Sequence, residues 1–260
     1  MRAPSRARRV AAVWYRHYRV YRENLVANAT PAVFEPMFLL LAVGLGLGRF
    51  VRAEFNGLDY ASFMAPGILG MTSVYTAAFE ATYGTLVRLR YQDTYEAMRA
   101  TPLTADDIFI GELLWCGTKG LLFSTIVGLV LLVFGKVHSP LFFLVPLFGF
   151  LTSIAFGGVG FVVTSLVKNM NQFQFFFTIC LTPLIFFSGM MFPVQELPTG
   201  LAYVAYSLPM FHVFESFRLA VSGPSHLSTS WAVFCPLVLL ALSLGLGWLG
   251  VHRMTRRLLG

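Results

Sequence analysis

Across residues 108–134 the chain carries only two charged side chains, Glu112 and Lys119. This run exceeds the roughly 20 apolar residues that carry a helix across a bilayer core. Five further apolar runs follow the same rule, at residues 31–47, 60–87, 141–167, 173–192 and 231–251. Backbone amides in lipid must be satisfied within their own segment, so such runs fold as helices. The expected fold is therefore all-α and integral to the membrane, with six transmembrane helices in a single transmembrane domain over residues 1–260.

Composition agrees. Charged residues make up 12% of the 260 residues, about half the share of roughly 25% in soluble domains. Mean hydropathy is +0.70. These values exclude a soluble enzyme with an ordinary wet surface, a disordered chain and a nucleic-acid binder, despite a net charge of +7. Six crossings use roughly 120–150 positions. That leaves no room for an additional globular domain of about 150 residues. Cys116, Cys180 and Cys235 all lie in apolar runs and read as small hydrophobes, not as a disulfide framework. The expectation for the Arg-rich start is a retained segment and not a cleaved leader, because the first apolar run is long enough to span and no small-residue cleavage site closes it.

The basic residues set the orientation. Fourteen fall on one side: seven before the first run (Arg2, Arg6, Arg8, Arg9, Arg16, Arg19, Arg22), then Arg88, Arg90, Arg99, Lys168, Arg253, Arg256 and Arg257. Only Arg49, Arg52, Lys136 and Arg218 fall on the other. The bias places both termini in the cytoplasm. Within residues 8–25, at about 100° per residue, Val13, Trp14, Tyr18, Tyr21 and Leu25 share one face, and Arg8, Arg9, Arg16, Arg19 and Arg22 the opposite one. The expectation is an interfacial helix with its rings in the acyl boundary and its arginines on anionic lipid. A disordered positive tail is the alternative, and the clean segregation favours the helix.

Residues 91–102 predict a short cytoplasmic helix, capped by Asp93, with Glu96 three residues later and Pro102 as its stop. Thr104-Ala-Asp-Asp107 then reads as a capping box for the third span. A short polar helix between two spans suits docking of a soluble partner; a solvated turn is the plainer reading. Residues 193–222 are apolar yet divided by Pro193, Pro198 and Pro209, with Pro224 just beyond, so they predict two short helices that dip into the outer half of the membrane. Glu215 and Arg218 are spaced to pair on one helical face.

Glu80, Glu112 and Lys119 lie within spans, with Glu35 at an edge. One reading is a structural charge network joining spans two and three; the other is a proton relay. No internal repeat supports a carrier of the latter kind. Gly157-Gly158 with Gly160, and Gly245 with Gly247, allow close helix approach. Phe173, Phe176, Phe177 and Phe187 crowd span five and face either lipid or a sugar-stacking path. No H-E-x-x-H, G-x-S-x-G or phosphate-cradling G-x-x-x-x-G-K-[ST] is present. No catalytic constellation supports a membrane-embedded transferase, and the scattered histidines, His17, His138, His212, His226 and His252, read as loop or interface residues.

Several segments carry a family resemblance: Tyr95-Glu-Ala-Met-Arg-Ala-Thr-Pro102, Gly111-Glu-Leu-Leu-Trp115, Phe187-Ser-Gly-Met-Met-Phe-Pro193, Gln195-Glu-Leu-Pro198 and Phe217-Arg-Leu-Ala-Val-Ser-Gly223. Over nearly its full length the chain resembles the membrane subunit of ABC type-2 exporters. Val13-Trp-Tyr-Arg-His-Tyr18, Tyr95-Glu-Ala-Met98 and Gly117-Thr-Lys119 are similar to the nodulation-type branch, which exports lipo-oligosaccharides.

The resemblance implies a homodimer with a separate ATPase subunit that binds ATP and Mg, leaving no cofactor and no catalytic site on this chain. It implies that Tyr91, Tyr95, Glu96, Arg99, Thr101 and Pro102 belong to a coupling helix that docks on that ATPase. It also implies that residues 193–222 cap the outer end of the path. The expected location is the bacterial inner membrane, the expected cargo an amphiphile. A stand-alone proton-coupled carrier remains the alternative.

Overall fold

The computed structural model describes residues 4–48, 57–223 and 229–259, and every regular element of more than one residue there is helical. Arg2, Arg49, Arg52, Pro224 and His226 lie outside the described residues.

The chain opens with α1 (Arg6–Glu23) and α2 (Leu25–Leu41), which meet at Asn24 with a bend of 89°. A π-helical turn, Ala42–Leu47, continues α2. Next come α3 (Tyr60–Phe79), a second π turn (Glu80–Gly84) and α4 (Thr85–Arg90), run end to end. The short α5 (Thr94–Arg99) leads into α6 (Ala105–Val133). A 3-10 turn, Pro140–Leu144, precedes α7 (Val145–Leu166). The fifth apolar run is broken into a 3-10 turn (Met170–Gln172), α8 (Phe173–Phe175), a π turn (Phe176–Leu181) and α9 (Thr182–Phe187). The chain ends with α10 (Thr199–Ser207), α11 (Pro209–Val221) and α12 (Thr229–Leu259).

Four helices are long and apolar enough to cross a membrane: Ala105–Val133, Pro140–Leu166, Met170–Phe187 and Ser230–Leu259. The bent pair α1 and α2 makes a fifth if it is one span. The expected six thus become four or five by this measure, and the run that drops out is α3. The cause is its surroundings. Nearly every α3 side chain is buried against protein, so α3 has no need of a greasy surface. Its hydroxyls are satisfied locally: Thr72 donates to the Ile68 carbonyl at 2.8 Å and Ser73 to the Leu69 carbonyl at 3.0 Å.

Hydroxyls also tie α7 to α3. Ser153 donates to the Ser73 carbonyl at 2.9 Å, and Thr164 to the Ala81 carbonyl at 2.8 Å. At the crossing of α7 and α12, a methyl group on Gly250 would lie 2.7 Å from the Gly158 Cα, and one on Gly158 would overlap the Leu246 carbonyl. Only glycine lets these two backbones approach so closely.

The N-terminus of α6 is capped as expected. Thr104 Oγ1 accepts from the Asp107 amide at 3.3 Å, and the Asp107 carboxylate accepts from the Thr104 amide at 3.1 Å. The cap expected for α5 differs. Asp93 occupies the N-cap position but has a left-handed backbone (φ 47°) and makes no side-chain cap bond. The helix is also shorter than residues 91–102, because that backbone turn delays its start to Thr94.

Residues 193–222 hold two short helices split at Leu208-Pro209. With 13 residues, α11 is about 20 Å long, short of the roughly 30 Å hydrocarbon core. It is nonetheless almost wholly buried against α3, α7 and α12.

Candidate functional site

Four charged side chains from α3–α4 and α6 meet inside the bundle. Glu80 ends α3, where the π turn begins. Its Oε1 accepts from Arg88 Nη1 at 2.9 Å and its Oε2 from Lys119 Nζ at 2.9 Å. Arg88 Nε reaches Glu112 Oε1 at 2.9 Å. Glu112 and Lys119, two turns apart on α6, therefore each hold a partner on the α3–α4 stretch. Charges at this depth exist only in combination, since a lone ion in low dielectric is costly.

Two more elements plug into this cluster. The Tyr95 hydroxyl of α5 donates to Glu112 Oε2 at 2.6 Å. His17 of α1 places Nε2 3.3 Å from Glu112 Oε1 and stacks on Trp115 at 5.9 Å between centroids. Burial first, and then the Glu112 carboxylate, push the Tyr95 phenol well above its ordinary pKa. It stays a proton donor throughout the physiological range.

The six residues expected on the docking helix divide into two faces. Tyr91 is exposed, as are Glu96, Arg99, Thr101 and Pro102. Tyr95 is not: it is 1% exposed and packs edge-on against Phe109, with Met98 beside it in the same core. It is the inner anchor of α5, while the other five face outward. Arg99 also bonds within the chain, donating from Nη1 to the Leu258 carbonyl at 3.2 Å.

The aromatic face of α1 packs on α6. Val10, Val13, His17 and Tyr21 are buried there. Trp14 Nε1 donates to Thr118 Oγ1 at 2.9 Å, and Arg9 Nε to Asp107 Oδ2 at 2.6 Å. Gly111 makes the approach possible, since a methyl on it would lie 2.6 Å from Val13 Cβ. Arg19 and Arg22 are exposed and Arg16 half-buried.

In the fifth run, Phe173, Phe176 and Phe177 are buried and Phe187 is exposed. Phe177 stacks on Phe79 at 4.5 Å, on Tyr83 at 5.8 Å and on Tyr75 at 6.2 Å. Tyr75, Phe79 and Tyr83 are spaced by four on one continuous helical stretch, a periodicity visible in the sequence and passed over there. Pro193 and Pro198 precede a 3-10 turn and α10, and Pro209 opens α11. Glu215 and Arg218 pair as expected; Arg218 also donates to the Gly189 carbonyl at 3.1 Å and lies over the Phe63 ring at 4.7 Å.

Sequence reasoning missed two members of the central cluster. Arg88 was counted only as a loop charge and His17 only as a scattered histidine. The spacing of Glu80 and Arg88, eight apart on one helical face, was the available signal for the first. Nothing local pointed to the second.

Apolar helices long enough to span, with charges neutralised in their midst, define a polytopic membrane protein. Residues 8–221 match the family described as ABC-2 type transporter, and the chain belongs to that family. Its members are membrane subunits of transporters, not enzymes, and work with an ABC ATPase. A protein named Nodulation protein J from Rhizobium leguminosarum bv. viciae is 34% identical over 213 residues, covering 82% of each chain. Its namesake from Bradyrhizobium diazoefficiens is 31% identical over 216 residues, 83% of this chain and 82% of its own. Inner membrane transport permease YadH of Escherichia coli is 22% identical over 214 residues, 82% of each.

Proposed function

We propose that the chain is the membrane-spanning subunit of an ATP-driven exporter in a bacterial inner membrane. Two copies pair, with both termini cytoplasmic, and each docks a separate ATPase chain that binds ATP and Mg. In this reading α3–α4 is the sixth crossing, shielded from lipid by its neighbours. The helices α10 and α11 are re-entrant and cap the outer end of the path.

One observation supports the reading most. The outer face of α5 is exposed and polar, while its inner face is anchored through Tyr95 to Glu112 on α6. Force applied to α5 by a closing ATPase passes through that bond to Glu112, then through Arg88 and Glu80 to α3–α4. Because Glu112 also meets His17, α1 moves with the same body. The spans then rock as rigid units about their packed interfaces.

The cargo we propose is an amphiphile of the glycolipid, lipo-oligosaccharide or polysaccharide class. Its support is the set of named relatives, together with the aromatic column of Tyr75, Phe79, Tyr83 and Phe177, whose faces suit sugar rings and acyl chains alike. The test is purification of the full chain with its neighbours in the membrane. A stoichiometric ATPase, whose hydrolysis rate rises with an added lipo-oligosaccharide, is expected. Transport by the chain alone, driven by a proton gradient, would overturn the reading in favour of a carrier.

A further inference from the structure

We infer that a two-tailed glycerophospholipid sits across the outer surface of α1, α6, α7 and α12, with its phosphate on Arg6 and one acyl chain in each of two adjoining grooves. The first groove, about 470 Å³, runs between α6, α7 and α12 and is lined by Leu113, Leu151, Ile154, Leu240, Leu244 and Gly247. The second, about 630 Å³, runs between α1 and α6 and is lined by Ala7, Val10, Ala11, Trp14 and Thr118. Ile110, Leu114 and Phe150 line both and form the ridge between them. Arg6 also lines both.

This shape selects its occupant. Each groove falls in the range of about 300–1,000 Å³ that small-molecule sites occupy, and both are chiefly apolar. A single-chain amphiphile fills one groove and leaves the other without contacts, which forfeits dispersion energy along its whole wall. A molecule with two flexible apolar arms on one polar head fills both and straddles the ridge.

The chemistry at the mouth fits a phosphate. Arg6 has 64% of its side chain exposed, and its contact with Asp107 is 3.6 Å long. Arg9 already holds the other Asp107 oxygen at 2.6 Å. Asp106 accepts from Thr255 at 2.8 Å. The guanidinium of Arg6 therefore keeps donors for a planar, two-pronged contact with phosphate oxygens. Trp248, 68% exposed and stacked on His252 at 5.4 Å, stands at the same mouth. Tryptophan favours the headgroup level of a bilayer.

The inference rests on reading α6, α7 and α12 as membrane crossings. Native mass spectrometry of the full chain in detergent tests it, with dioleoyl-phosphatidylglycerol and its single-chain lyso form as probes. The native chain is expected to retain one dioleoyl lipid about tenfold better than the lyso form. Arg6→Ala should lower retention of both by about tenfold. Ala11→Trp or Leu244→Trp, each filling one groove from an exposed position, should lower dioleoyl retention about tenfold and leave lyso retention within about twofold. Unchanged melting temperatures would show that all three variants fold. Equal retention of the two lipids by the native chain, or no effect of Arg6→Ala, overturns the inference. So does an oligosaccharide-bearing lipid, rather than a phospholipid, copurifying at this site and lost in Arg6→Ala. Failure of ATPase association would strike the proposed export function and leave the lipid result standing, since the two are read as separate masses.

Discussion

The Tyr95 hydroxyl lies 2.6 Å from a Glu112 carboxylate oxygen and donates its proton there. One bond thus joins the short exposed-faced helix α5 to the charge cluster between α3–α4 and α6. Removing the hydroxyl with Tyr95→Phe keeps the packing on Phe109 and deletes only this link. A hydrogen bond to a charged group contributes about 1.5–3 kcal/mol, so thermal unfolding in detergent should show a loss of that order. Substrate-stimulated ATP hydrolysis in the assembled complex should fall more than basal hydrolysis. A variant as stable and as stimulated as the native chain would remove Tyr95 from the coupling route.

Glu80 serves Arg88 and Lys119 together, so Glu80→Gln strands Lys119 in low dielectric and leaves Arg88 with Glu112 alone. The expected destabilisation is about 3–5 kcal/mol, the range seen when one partner of a buried pair is removed. Lys119→Met in the same chain should recover part of that loss, because it removes one stranded charge. Melting curves of the two single variants and the double variant decide the point. Simple additivity would mean that Glu80 and Lys119 do not act as a pair.

On α5 itself, Glu96→Ala with Arg99→Ala should lower stimulated ATP hydrolysis in the complex. Arg99 also bonds to the Leu258 carbonyl, so a single Arg99→Ala should loosen the end of α12 as well. Faster proteolysis at the C-terminus would register this. Glu96→Ala should leave that rate unchanged, and an equal effect of both would assign the loss to folding rather than docking.

The crossing of α7 and α12 gives a packing test. Gly158→Ala forces a methyl into the Leu246 carbonyl, and such overpacking costs about 1–3 kcal/mol. Gly245→Ala, on the same α12 but with nothing within 4 Å of the added carbon, should be neutral or slightly stabilising. Melting temperatures of the two variants should therefore move in different directions or by clearly different amounts. Matching shifts would mean that the close approach at Gly158 does not exist in the membrane.

Much of this was legible in the residues, and the rest was hidden for physical reasons. The Thr104–Asp107 box, the break at Leu208-Pro209 and the Glu215–Arg218 pair are local, with partners within four residues. Apolar length found the four helices long and apolar enough to cross a membrane. It also marked α3, whose neighbours are protein and whose composition, less greasy than that of the four long helices, answers to them. The meeting of His17 with Glu112 joins residues far apart in the chain, and no spacing rule reaches that far. The resemblance put Tyr95 on the docking helix without saying which way it faces; only the fold shows that its side chain turns in.

The pairing of Glu80 with Lys119 and of Arg88 with Glu112 also bears on biogenesis. Each of the two helical stretches carries one acid and one base; Glu80 and Arg88 already meet within the first, whereas Glu112 and Lys119 find their partners only across the gap. A basic or acidic side chain at mid-bilayer costs roughly 2.5–3.5 kcal/mol on insertion scales. The second stretch therefore leaves its two charges unmatched unless the first already stands beside it. Only the short α5 separates residues 60–90 from 105–133, so synthesis delivers the two in close succession, and in the proposed six-span reading they enter lipid most favourably as a hairpin.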